Sequence, residues 1–258
     1  LKKFFLFLYV VAIIVFLIGA NMYWQREVTY SSAPAEGLGA QQEGQNISNS
    51  QPDVAQAVKN WPKDAQQAYA EAREAGVPYK IMIAGSPSLG KETGGWSTVV
   101  KQKLEETLGK TVTVEIQEFN GNSMEFMKSD VHNNILAAAP DLVLYESFLL
   151  KDNGVLDVNT HQQLLAQFNQ ELQKANEKAV LMVQPAHPIF GAQHYPNQKE
   201  AEKQFAQENS LRYIDHWEAW PSTNDQKLTG LITEDQSTPN EKGHELWAEY
   251  LVDELIAE

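Results

Sequence analysis

Cysteine is missing from all 258 residues. Its absence excludes disulfides, thiolate metal sites and a lipid-bearing cysteine, and leaves the packed core as the source of stability. Positive charge is scarce, with 20 Lys and Arg against 34 Asp and Glu and a net charge of −14. Because residues 1–26 hold three cations (Lys2, Lys3, Arg26) and no acid, the remainder of the chain carries −17. Such a surface disfavours nucleic acid and anionic lipid as partners. No HExxH or comparable spacing of histidines and carboxylates occurs, so metal catalysis is not expected. Nor is any cofactor expected. No internal repeat is visible.

One long apolar run is present. Phe4 to Tyr23 is twenty residues without a charge, preceded by Lys2 and Lys3 and followed by Trp24 and Arg26. That length crosses a bilayer, and the flanking lysines hold the N-terminal side in the cytoplasm. The expectation is a single-pass anchor over residues 1–26, with the rest of the chain outside the cytoplasmic face of the cell membrane. An uncleaved or cleavable signal segment is the alternative, since Ile18-Gly19-Ala20 is a passable cleavage site. Residues 27–52 are rich in Ser, Ala, Gly, Gln and Asn and read as a flexible linker. Residues 53–258 are then the globular domain, opening with a lead-in helix over Asp53 to Ala75 that Pro62 interrupts.

From Tyr79 the pattern alternates. Strands are predicted at 80–84, 111–118, 141–145, 179–183 and 211–214, and helices at 95–108, 123–138, 158–177, 197–208 and 240–257. This alternation specifies an α/β fold: a doubly wound, mostly parallel five-stranded sheet with helices on both faces. Functional residues should then lie in the loops after the strands.

The first such loop is Gly85-Ser86-Pro87-Ser88-Leu89-Gly90-Lys91, and two chemistries compete for it. Gly85, Gly90 and Lys91 fit the opening of a P-loop, but Glu92 stands where a hydroxyl should meet magnesium, and a carboxylate there repels phosphate. The second chemistry is a serine nucleophile, Ser86 or Ser88, on a tight turn. Serine beside Gly and Pro also serves simply as a turn residue. After strand two, Gly121 can present its N–H unobstructed, with Asn122 and Ser123 as helix caps. After strand three, Asn153 could donate to an oxyanion, although Asn before Gly is commonly a turn residue. After strand four come His187 and a run of apolar residues between prolines, and after strand five Asp215, His216, Trp217 and Trp220. Phe148, Phe190, Trp217 and Trp220 are expected to line a cleft.

Asp235-Gln-Ser-Thr-Pro239-Asn240-Glu-Lys-Gly243-His244-Glu-Leu-Trp247-Ala248, taken with the Gly-Ser-Pro-Ser-Leu turn and Gly121, resembles the blocks of the SGNH/GDSL hydrolases. The resemblance covers about Lys80 to Leu255. It implies a flavodoxin-like fold and a serine ester hydrolase, with Gly121 and Asn153 as oxyanion donors and Asp235 behind the base. With the topology above, it implies action on acylated cell-envelope carbohydrate or another ester. Two positions depart from the family pattern. Keeping Gly85 in register puts Pro87 where the nucleophile belongs, and Thr238 replaces the general-base histidine. Threonine cannot take a proton from serine at neutral pH. A substitute base is required, with His187, His216 and His244 available; the alternative is a catalytically lapsed binding or scaffolding module.

Overall fold

The computed structural model describes residues 54–257. The predicted anchor and linker lie outside the described residues, and among the described residues no helix is long and apolar enough to cross a membrane. In chain order the elements are α1 (Val54–Ala57), α2 (Lys63–Glu74), β1 (Tyr79–Gly85), α3 (Trp96–Leu108), β2 (Val112–Glu118), α4 (Ser123–Phe126), α5 (Asp130–Ala138), β3 (Leu142–Glu146), α6 (Leu149–Asp152), α7 (Val158–Ala175), β4 (Val180–Gln184), α8 (Tyr195–Glu208), β5 (Arg212–Tyr213) and α9 (Glu241–Leu255).

The five strands form one sheet in the order β2-β1-β3-β4-β5, and every pairing is parallel. This is the flavodoxin-like order, with its switch point between β1 and β3. Alternation along the strands explains the two layers of helices. Tyr79, Ile81 and Ile83 of β1, with Leu142 and Leu144 of β3, join a core that includes Trp61, Tyr69, Val100, Leu104, Trp247 and Leu251 from α2, α3, α9 and the segment before α2. Met82, Ala84, Val143 and Tyr145 point the other way, into a core with Phe126, Ile135, Leu165 and Phe168 from α4, α5 and α7. Period-two side-chain alternation thus buries both faces of each central strand.

One predicted helix agrees with the structure and one differs. The lead-in helix is two pieces with Pro62 as the N-cap of α2, because proline lacks the N–H that an interior turn would need. The predicted helix at 123–138 is broken after Phe126; Ser129 accepts from His132 N and starts a new helix. A serine able to cap its own N-terminus competes with helix continuation.

Candidate functional site

The turn after β1 is built by close approach. A Cβ at Gly85 would lie 2.5 Å from Glu146 Oε2 and 2.5 Å from Leu89 Cδ1, so only glycine lets the β1 terminus run against the β3 terminus. Glu146 Oε2 accepts from Ser86 N at 2.5 Å. Burial pushes the Glu146 carboxyl up to about 8, with the Ser86 hydrogen bond acting against it. The floor beneath this turn is therefore a neutral acid at pH 7. Ser86 caps the following turn of 3₁₀ helix, Pro87–Leu89, by accepting from Ser88 N at 3.2 Å. That bond occupies one lone pair of the Ser86 hydroxyl. Ser88 is free of that duty, and its Oγ lies 3.3 Å from His187 Nδ1.

His187 follows β4 and is held from its other side, with Nε2 3.1 Å from the Gln236 carbonyl. A carbonyl can only accept, so Nε2 carries the proton and the Nδ1 lone pair faces the Ser88 hydroxyl. Burial lowers the His187 pKa to about 4, only partly opposed by the hydrogen bond to Gln236, and keeps the ring neutral at pH 7. The pair has the protonation a nucleophile and general base require. It is also closed off: Ser88 is 1% exposed and His187 0%.

Gln236 carries no signal in the sequence, yet it holds the His187 ring. Its φ is +57°, an unusual conformation for a side-chain-bearing residue. In that turn its carbonyl meets His187 and its Oε1 accepts from Phe190 N at 2.7 Å. Asp235 builds the turn and does not touch the imidazole. Its Oδ1 accepts from Thr233 Oγ1 at 2.7 Å and from Ser237 N and Oγ. Asp235 is exposed, and those hydrogen bonds, from Thr233 first, hold its carboxyl below the usual range.

Gly121 packs beneath the Phe119 ring and the Glu125 carboxylate, where a Cβ would clash. Asn153 is exposed at the end of α6, its N–H donating to Leu149 O. No hydrogen bond among the described residues joins either to Ser88 or His187. His216 is wholly buried, stacks on Trp247 with centroids 4.0 Å apart, and is saturated by Pro185 O and Trp220 Nε1. His244 Nδ1 accepts from Trp96 N at 3.3 Å, capping α3 from across the α3–α9 interface. The expected aromatic cleft is corrected as well, since Phe148 is fully buried and Trp220 nearly so. Both are core residues.

An open cleft of about 1170 Å³ does exist, between α3 and α9, and Pro87, Gly90, Thr238 and His244 stand at one end of it. Pro87 and Thr238, aligned above with the nucleophile and base of the SGNH/GDSL pattern, therefore face one cleft. Ser88 and His187 lie behind that wall.

No family model matches the chain, and no curated protein matches it. Solved structures do. A lipolytic protein of the G-D-S-L family from Desulfitobacterium hafniense aligns at 18% identity over 69% of this chain and 99% of its own, with a TM-score of 0.56. An acetylxylan esterase from Geobacillus stearothermophilus aligns at 14% identity over 69% of this chain and 94% of its own, with a TM-score of 0.56. A GDSL-like lipase from Bacteroides thetaiotaomicron aligns at 13% identity over 73% and 96%, with a TM-score of 0.51. With the parallel 2-1-3-4-5 sheet and the loops gathered at its carboxyl rim, these likenesses show that the fold of this chain is that of the SGNH/GDSL hydrolases.

Proposed function

We propose that the chain is a serine ester hydrolase of the SGNH type with a displaced reactive pair, acting outside the cytoplasmic membrane on acylated carbohydrate. The observation that carries this reading is the 3.3 Å contact between Ser88 Oγ and the unprotonated Nδ1 of His187. In the reaction, Ser88 Oγ bonds to the acyl carbon while its proton passes to Nδ1. The tetrahedral intermediate collapses, the sugar alcohol leaves with that proton, and water repeats the sequence on the acyl-enzyme. The Gln236 carbonyl steadies the imidazolium through Nε2. The oxyanion falls to the N–H of Gly121 and the Asn153 amide, neither of which has a hydrogen-bond partner among the described residues. Because the pair is buried, the 86–90 turn must part from the 235–238 loop to admit substrate. Carbohydrate as the acyl carrier is supported by the acetylxylan esterase among the structural neighbours, and the external location by the charge-free run Phe4 to Tyr23 behind Lys2 and Lys3.

The burial of Ser88 and His187 favours a second reading, a lapsed hydrolase kept as a binding module, whose former centre is the cleft end at Pro87 and Thr238. Hydrolysis of p-nitrophenyl acetate and of acetylated xylo-oligosaccharide by the full chain separates the two. Turnover that Ser88→Ala and His187→Ala each abolish, and that Ser86→Ala leaves within a few fold, supports the displaced pair. Absence of turnover, with activity appearing in a Pro87→Ser/Thr238→His double variant, supports the lapsed centre.

A further inference from the structure

The cleft beside α9 carries a charge pattern that ester hydrolysis does not use. Glu241, Glu245, Glu249 and Asp253 line it from α9, and Glu92 and Glu118 from the opposite side. The four on α9 recur every four residues, so they form one stripe that winds about 120° around the helix, about 18 Å long at 1.5 Å per residue. Like charges at this spacing destabilise a helix. None of the six carboxylates has an ion-pair partner among the described residues, and the one lysine lining the cleft, Lys103, is paired with Glu106. Alongside the stripe the cleft is apolar, with Pro87, Val99, Pro239, Ala248 and Val252 on its walls. Ala248 and Val252 are themselves four apart on α9, so the apolar and acidic rows run parallel.

We propose that this cleft docks a cationic amphipathic helix of a partner protein, its apolar face against the exposed Val99 and the half-buried Val252 and its Lys or Arg residues along the Glu241–Asp253 stripe. Three turns of such a helix match the length of the stripe, and cations spaced every three to four residues match its period. A second copy of this chain does not fit, since its net charge of −14 repels the same surface. Residues 27–53 do not fit either, as they hold Glu27, Glu36, Glu43 and Asp53 and no Lys or Arg. The inference stands independently of the Ser88–His187 chemistry, because the stripe shares no residue with that pair.

The test is fluorescence anisotropy with the full chain and a labelled 14-residue peptide of leucine and lysine at helical spacing, against a leucine and glutamate counterpart. The expected result is saturable binding of the cationic peptide only. It should weaken about tenfold in Glu245→Lys/Glu249→Lys and in Val99→Arg, at an exposed position of the cleft wall, and less than twofold in Glu177→Lys/Glu208→Lys, which reverses the same number of exposed charges elsewhere. Ester turnover in the Glu245→Lys/Glu249→Lys variant should equal that of the native chain. Equal weakening by both double reversals would show attraction to the acidic surface at large and overturn the proposal, as would no binding at all.

Discussion

Two histidines sit at the same depth in this molecule and do opposite things. His187 donates from Nε2 to a carbonyl and accepts at Nδ1 from Ser88. His161, on α7, has Nδ1 2.6 Å from Asp152 Oδ2 and Nε2 2.9 Å from Glu202 Oε2. Ser123 Oγ donates to Asp152 at 2.5 Å and Ser147 Oγ to Glu202 at 2.6 Å. Burial alone would lower the His161 pKa; the hydrogen bonds to Asp152 and then Glu202 overcome it and raise it to about 9. Ser123, His161 and Asp152 thus copy the composition of a catalytic triad without its chemistry. Both ring nitrogens donate to carboxylates, so no lone pair remains to take the Ser123 proton. A serine–histidine contact marks a reactive pair only where the far nitrogen meets a group that leaves the near one unprotonated.

The strongest way to break that contrast is to remove each ring. His161→Ala leaves Asp152 and Glu202 buried without their shared cation, and uncompensated buried charge costs about 3–5 kcal/mol. Urea denaturation should show that loss, while His187→Ala should cost well under half as much. Equal losses would mean that His161 is an ordinary packing residue. On turnover the ranking inverts. His187→Ala should lower kcat for p-nitrophenyl acetate by about 10²–10⁴-fold, and a folded Asp152→Asn protein should change it little.

Acidity and alkalinity should separate the two rings next. The folded His161 pKa is raised from 6.5 to about 9; its contribution to stability is complete below pH 6.5 and disappears as pH rises through 9. The folded His187 pKa is lowered to about 4; its neutral ring favours the fold above pH 6.5, and that contribution is lost as pH falls through 4. Glu146, raised to about 8, adds to the alkaline loss: its share is complete below 4.5 and gone above 8. Proton NMR of the imidazole signals should show His161 charged at pH 8 and His187 neutral at pH 5. The acid limb of kcat/KM should then lie near pH 4. An acid limb near 6.5 would place an exposed histidine in the base's role.

The scaffold was largely legible in the chain and the wiring was not. Strands at 80–84 and 141–145 fall within a residue of β1 and β3 because buried parallel strands are short apolar runs between turn signals. Ser88 and His187 could be named as possibilities since both follow strands. Choosing Ser88 over Ser86 needed the position of the His187 ring, whose Nδ1 lies against Ser88 Oγ, while Ser86 Oγ accepts from Ser88 N in the 3₁₀ turn. The Asp152–His161–Glu202 cluster escaped notice because helical periodicity counts a polar residue as surface, and Glu202 and His161 both occupy inward positions of α8 and α7. The family resemblance implies Asp235 behind the base. Its neighbour does the holding because a turn residue with positive φ swings its own carbonyl inward.

The smallest expected effect lies at Gln236, where a backbone carbonyl meets the His187 ring. In Gln236→Gly the carbonyl is retained and the cost of a side chain at φ +57° disappears, while the Oε1 hydrogen bond to Phe190 N is lost. The two changes oppose each other at about 1 kcal/mol each, so stability should move by less than that. If the main-chain carbonyl fixes the tautomer, His187 keeps its depressed pKa and ester turnover stays within a few fold. Gln236→Pro is excluded at this φ and should disturb both. A glycine variant that folds normally but has a His187 titrating near 6.5 would transfer the positioning role from the backbone to the glutamine side chain and its grip on the 187–190 loop.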